Sequence, residues 1–308
     1  MKPADISYNF SIAKVLSILT VVAGHYFGGL LWIPTTIALF IFAFSSGYFS
    51  SSKYTGDFSV GKFWKAKVVR LGLSLALINL FLLMLFLYQG RSNVMTWDTL
   101  WGMSGLSAAL AWFGLPYHSP FGYGQWFLTV LWIYYLAYPA IERINRSPDT
   151  ATAFLLSALV VTTYLNFHVT VGYELWMTVF GFILGTYAGR IPARMTFARS
   201  GGILGASIAA MLILNKFFNV NFLNYYFILV SSVMVCNILL VRRLPDALGP
   251  FILPFAGCVL EIYLLHYYLF VRFPASAIAG FALSLTLILI TAITLGRINS
   301  LAIRYAKQ

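Results

Sequence analysis

Apolar runs of about twenty residues recur from one end of the chain to the other, and short segments between them hold most of the charge. Inside hydrocarbon a backbone amide finds no water, so each such run folds as a helix that pairs its own N–H and C=O groups. The runs predict ten membrane-spanning helices, over residues 8–30, 32–52, 68–89, 124–144, 150–169, 172–190, 199–215, 221–241, 250–272 and 276–300. The fold class is therefore all-α and polytopic. Only HVTVGYE separates the fifth run from the sixth.

Composition excludes the alternatives. Of 308 residues, 60% are hydrophobic and 9% charged, with a mean hydropathy of +0.84, too little charge for an aqueous domain of this size. The net charge of +12 would suggest nucleic acid in a soluble protein, but here the cations sit in clusters between apolar runs, so no nucleic acid is expected. Cys236 and Cys258 lie inside apolar runs with no ligand spacing, so neither a metal nor a disulfide framework is expected. The N-terminal run lacks a small-residue cleavage site and reads as a retained helix.

The cations also orient the chain. With the N-terminus cytoplasmic, the inner segments hold 16 basic residues: Lys2, Lys53, Lys62, Lys65, Lys67, Arg70, Arg143, Arg146, Arg190, Arg194, Arg199, Arg242, Arg243, Arg297, Arg304 and Lys307. The outer segments hold 3, Arg91, Lys216 and Arg272. This bias predicts both termini cytoplasmic. Two connections are long. The inner linker 53–70 ends in GKFWKAKVVR, read as a short basic amphipathic helix in the interface plane. The outer segment 90–124 is rich in Gly, Ser, Trp and Pro, read as short helical pieces forming a lid or acceptor platform. Its Trp97, Trp101, Trp112, Tyr117 and Tyr123 offer aromatic faces to an acceptor, or form an interfacial belt.

Ionisable groups within the runs are costly and point to function. Lys14 and His25 are eleven residues apart, about 16 Å along a helix and within about 20° of one face. Glu261 and His266 are five apart, about 140° around a helix, and do not share a face. A neutral imidazole takes a proton near neutral pH, so His25 is the candidate general base. The run Lys62, Lys65, Lys67 and Arg70 reads as a topology signal or as a phosphate pocket.

Taken together these residues resemble the acyltransferase 3 family of integral membrane acyltransferases. The resemblance rests on Lys14 and His25 in SIAKVLSILTVVAGH, Ser46-Gly47-Tyr48 toward the end of the second run and Lys67 and Arg70 in KVVR. It rests further on Trp126 and Pro139 in QWFLTVLWIYYLAYP, and on EIYLLH from Glu261 to His266. It covers essentially the whole chain, as one domain over 1–308. Departures are Ser11 where the family has an acid, lysine for arginine at 14 and 67, Val259 before the EIY pattern, and Gly72-Leu73 where a proline is common.

The resemblance implies an O-acyltransferase that moves an acyl group, commonly acetyl, from cytoplasmic acyl-CoA to a hydroxyl of a surface carbohydrate or its lipid-linked precursor. It implies a multi-pass protein of a bacterial cytoplasmic membrane, in contact with lipid. His25, Lys14 and Glu261 are the expected catalytic residues. Lys65, Lys67, Arg70 and Lys14 are the expected acyl-CoA site, and Trp126, Ser46 and His266 the expected acceptor site. No metal is expected, and the oligomeric state stays open. Two other classes also stay open: a transporter or flippase of a lipid-linked saccharide with Lys14, His25 and Glu261 as a proton relay, and a non-catalytic partner in a polysaccharide assembly.

Overall fold

The computed structural model describes residues 1–54, 58–91, 94, 96–169, 171, 173–192 and 194–305. Among them every regular element is helical: α1 (Pro3–Phe27), α2 (Trp32–Lys53), α3 (Val60–Tyr88), α4 (Trp97–Met103), α5 (Ser107–Trp112), α6 (Trp126–Ile144), α7 (Pro148–His168), α8 (Tyr173–Arg190), α9 (Phe197–Phe218), α10 (Asn224–Val241), α11 (Gly249–Ile252), α12 (Val259–Leu265) and α13 (Ala277–Tyr305), with short 3₁₀ turns between some of them. Lys307 and parts of the 53–70 and 90–124 segments lie outside the described residues.

Nine of the ten apolar runs lie mainly in one α-helix each where the sequence places them, and the run 250–272 does not. Seven helices are long and apolar enough to cross a membrane, and the broken pair 246–255 and 259–269 makes an eighth if counted as one span. The expected ten is thus not reached by length and hydropathy among the described residues. α6 is diluted by its tyrosines, tryptophans and the Glu142–Arg143 pair, and α8 by three glycines and charged ends. Much of α8 is buried by protein, so it needs less lipid-facing hydropathy.

Two other expectations change. GKFWKAKVVR is not a separate interfacial helix. Ser59 accepts a hydrogen bond from the Lys62 amide, and the helix it caps runs on unbroken to Tyr88. The 250–272 run is not one helix either: Pro250 and Pro254 fall in its first turns, and the chain restarts at Val259. The 90–124 segment forms short helices as expected, and its described part is tied into the bundle: Met103, Ser104 and Gly105 give carbonyls to Asn79, Trp132 and Thr129 at 2.6, 3.2 and 2.8 Å.

The chain packs as two compact units. The first comprises residues 1–24, 28–57 and 140–256. Its centre is the seam between α2 and α8. Gly181, Gly185 and Gly189 recur every fourth residue and face Phe40, Phe44 and Tyr48, which recur the same way on α2. A Cβ on Gly185 would stand 2.1 Å from the Phe44 carbonyl oxygen, and one on Gly47 2.2 Å from that of Phe182. Backbones this close gain dispersion contacts that lipid tails cannot supply, which is how small residues join membrane helices. The α10 C-terminus is capped from α1: Asn9 donates to the carbonyls of Leu239 and Arg242 at 2.8 and 2.7 Å and accepts from the Leu244 amide at 2.9 Å. Buried Glu142 is paired with Arg146 and Arg190, both at 3.1 Å.

The second unit comprises residues 25–27, 58–139 and 257–308. α3, α12 and α13 pack against one another, and the first part of α6 is fastened to α12. Tyr263 accepts from the Phe127 amide at 3.0 Å and donates to the Gly124 carbonyl at 2.9 Å, while Gln125 donates to the Leu264 carbonyl at 3.2 Å.

Candidate active site

The second unit brings two of the expected residues together. The last turn of α1 carries His25, half-buried, and the 3₁₀ turn after α12 carries His266, fully buried. Their ring centroids are 5.0 Å apart at an interplanar angle of 48°. Helix arithmetic separates His266 from Glu261, and the change from α to 3₁₀ winding at residue 266 turns it further.

The tautomer of His266 follows from its neighbour. Nδ1 lies 2.6 Å from the Tyr263 carbonyl oxygen, which can only accept, so the ring proton sits on Nδ1. A neutral ring then carries its lone pair on Nε2, which is buried with no protein hydrogen-bond partner. The site thus presents one acceptor nitrogen without a protein hydrogen-bond partner, on a ring beside the more accessible ring of His25.

His25 is held from the next residue. Tyr26 donates its hydroxyl to the Val271 carbonyl at 2.9 Å, and its ring lies against Phe270 and Phe281, both at 5.3 Å. Ser284 accepts from the Val271 amide at 2.7 Å, fixing that strap to α13. Gly280 is required here, since a Cβ would stand 2.3 Å from the Tyr26 hydroxyl.

Glu261 is buried and hydrogen-bonded. Its Oε1 accepts from Ser74 at 3.1 Å and Asn299 at 3.0 Å, joining α12 to α3 and α13. Ser74 and Asn299 escape a sequence reading because they are 187 and 38 residues from Glu261 and sit in otherwise apolar helices. The strap residues Tyr26, Gly280 and Ser284 are missed for the same reason.

The cationic candidates belong to different units. In the first unit Lys14 is half-buried, with its ammonium 5.6 Å from the Phe49 ring centroid. In the second, Lys67 lies over Tyr135 at 4.2 Å and Phe63 at 5.3 Å, while Lys65 and Arg70 are exposed on the first turns of α3. Ser46 is half-buried beside the Gly47 contact of the α2–α8 seam. Trp126 is half-buried at the start of α6. In the loop before it Tyr117 donates to the Phe121 carbonyl, and burial pushes its hydroxyl up to about 12, so it remains a donor at neutral pH. Among the described residues no group of His, Cys, Asp and Glu is arranged to hold a metal.

No curated protein and no solved structure matches this chain significantly. A family model described as an acyltransferase domain matches residues 7–297, nearly its whole length, and that span contains both histidines, Lys14 and Glu261. The chain is therefore a multi-pass membrane protein that belongs to the acyltransferase 3 family.

Proposed function

We propose that the protein transfers an acyl group, acetyl being the smallest, from acyl-CoA to a hydroxyl of a cell-surface carbohydrate or its lipid-linked precursor, in a bacterial cytoplasmic membrane, with His25 as general base. The observation that supports this reading is the His25–His266 pair with its unpaired Nε2. His25 takes the acceptor's hydroxyl proton as the oxygen attacks the thioester carbonyl. The C–O bond forms and the C–S bond breaks, and the proton passes from His25 to the departing sulfur, giving free CoA. The positive charge that builds on His25 forms beside the His266 lone pair, which stabilises it.

Lys65, Lys67 and Arg70 supply the phosphate-binding charge for the donor, with Lys14 a further cation eleven residues before His25 on α1. Glu261 acts as a positioning residue through Ser74 and Asn299, holding the helix that ends at His266. Trp126 and Ser46 remain candidates for acceptor contacts. Transfer is direct, without an acyl-protein.

The test is release of free CoA from acetyl-CoA by protein in nanodiscs, wild type against His25→Ala, with and without an envelope-glycan extract. Release that rises with extract and needs His25 is expected. No release by a folded wild type would overturn the reading.

A further inference from the structure

Three consecutive residues of the 3₁₀ turn, His266, Tyr267 and Tyr268, fan out because 3₁₀ winding turns about 120° per residue. His266 points inward to His25. The Tyr268 hydroxyl accepts from the Tyr123 amide at 3.0 Å. Tyr267 stacks on Tyr123, centroids 6.1 Å apart and planes 17° from parallel. Gly124, at φ +69°, lies flat under Tyr267, where a Cβ would touch the ring at 3.4 Å. Two rings held by backbone, one of them the neighbour of His266, are 45% and 47% exposed. Such a rigid aromatic ledge suits the C–H face of a sugar ring.

A cation flanks the same site. The Arg272 guanidinium lies 5.1 Å from the centroid of Tyr26, the residue after His25, and is exposed. Among the described residues it makes no ion pair within 4.0 Å. A guanidinium laid on a ring keeps its N–H edge for a bidentate oxyanion. Arg91, over Phe86 at 4.9 Å, adds a second positive charge to this unit, and Asp98 of the same unit accepts from the His118 amide at 2.8 Å. Tyr267 and Arg272 are linked through Phe270 and buried Tyr26 in steps of 6.2, 5.3 and 5.1 Å, which bounds their separation to what a short oligosaccharide can span.

We propose that the acceptor is an anionic oligosaccharide, with one ring on the Tyr123–Tyr267 ledge and a carboxylate or phosphate on Arg272. This rests on the acyl-transfer reading above, and the experiment separates the two. Affinities of nanodisc-held protein are measured at low salt, without acyl donor, for maltotriose, trigalacturonate and phosphorylated maltotriose. The two charged sugars distinguish carboxylate from phosphate. At least one is expected to bind about tenfold more tightly than maltotriose, a difference that rising salt erodes. Arg272→Gln removes that advantage, Arg272→Lys keeps part of it, and Tyr123→Leu with Tyr267→Leu weakens all three sugars. Equal affinity for charged and neutral sugars, no binding, or a preference that survives Arg272→Gln would each overturn the proposal. Anion-selective binding without CoA release would remove the acyl-transfer reading and leave the site. Release without selectivity would do the reverse.

Discussion

Asn299 donates its side-chain amide both to Glu261, at 3.0 Å, and to the Ser74 hydroxyl, at 2.6 Å, closing a buried polar triangle among α13, α12 and α3. The triangle needs an acceptor oxygen at position 261. Glu261→Gln keeps one, so its thermal midpoint in detergent should stay near wild type and most activity should remain. Glu261→Ala orphans two donors and should cost about 1–3 kcal/mol. If Gln proves as damaging as Ala, the negative charge itself is required.

The histidine pair predicts a split in kinetic effects. His25→Ala should lower kcat about 10²–10⁴-fold, the usual contribution of a positioned base. His266→Gln should lower kcat by less and leave both KM values near wild type, because His266 acts through His25. Steady-state kinetics decide it: a raised acceptor KM at unchanged kcat would move His266 into acceptor binding instead.

Two glycine substitutions should behave in opposite ways. Gly185→Ala puts a methyl into the Phe44 carbonyl and should destabilise the first unit by about 1–3 kcal/mol or more. Gly205→Ala on α9 meets nothing within 4 Å and should be neutral or stabilising, by up to about 1 kcal/mol from helix propensity. Thermal unfolding of the two variants side by side tests the seam.

Lys65 and Arg70 are exposed on the first turns of α3, so removing their charge should not harm folding. Lys65→Gln with Arg70→Gln should raise the KM for acyl-CoA and leave the acceptor's KM unchanged. The wild-type KM for acyl-CoA should rise with ionic strength and that of the double variant much less, as expected of screened phosphate contacts. A change confined to the acceptor's KM would place the donor phosphates elsewhere.

The positions of the helices were legible because membrane burial writes a strong, local signal. His25 stood out for the same reason: a single imidazole in apolar sequence is conspicuous. The pairing of His25 with His266 was not legible, since 241 positions separate them and no local pattern reports which distant helices meet. The partners of Glu261 were hidden because Ser74 and Asn299 are neutral residues that a hydropathy scan passes over. The α2–α8 seam did leave a trace, the four-residue spacing of Gly181, Gly185 and Gly189, but that spacing names a packing surface without naming its mate. The break before Val259 was marked by Pro250 and Pro254 inside a run otherwise apolar enough to read as one helix.

The 3₁₀ turn at 266–269 also bears on how this chain can change over evolution. Its neighbours are assigned by residue count: one position faces His25, the next carries the exposed ring, the next holds the opposing loop. Deleting or inserting a single residue between Tyr263 and Phe270 would reassign all of them at once. Point changes within this stretch can be sampled singly, whereas changes of length cannot, so its length should stay fixed among functional descendants even where the 219–223 connection between α9 and α10 grows or shrinks.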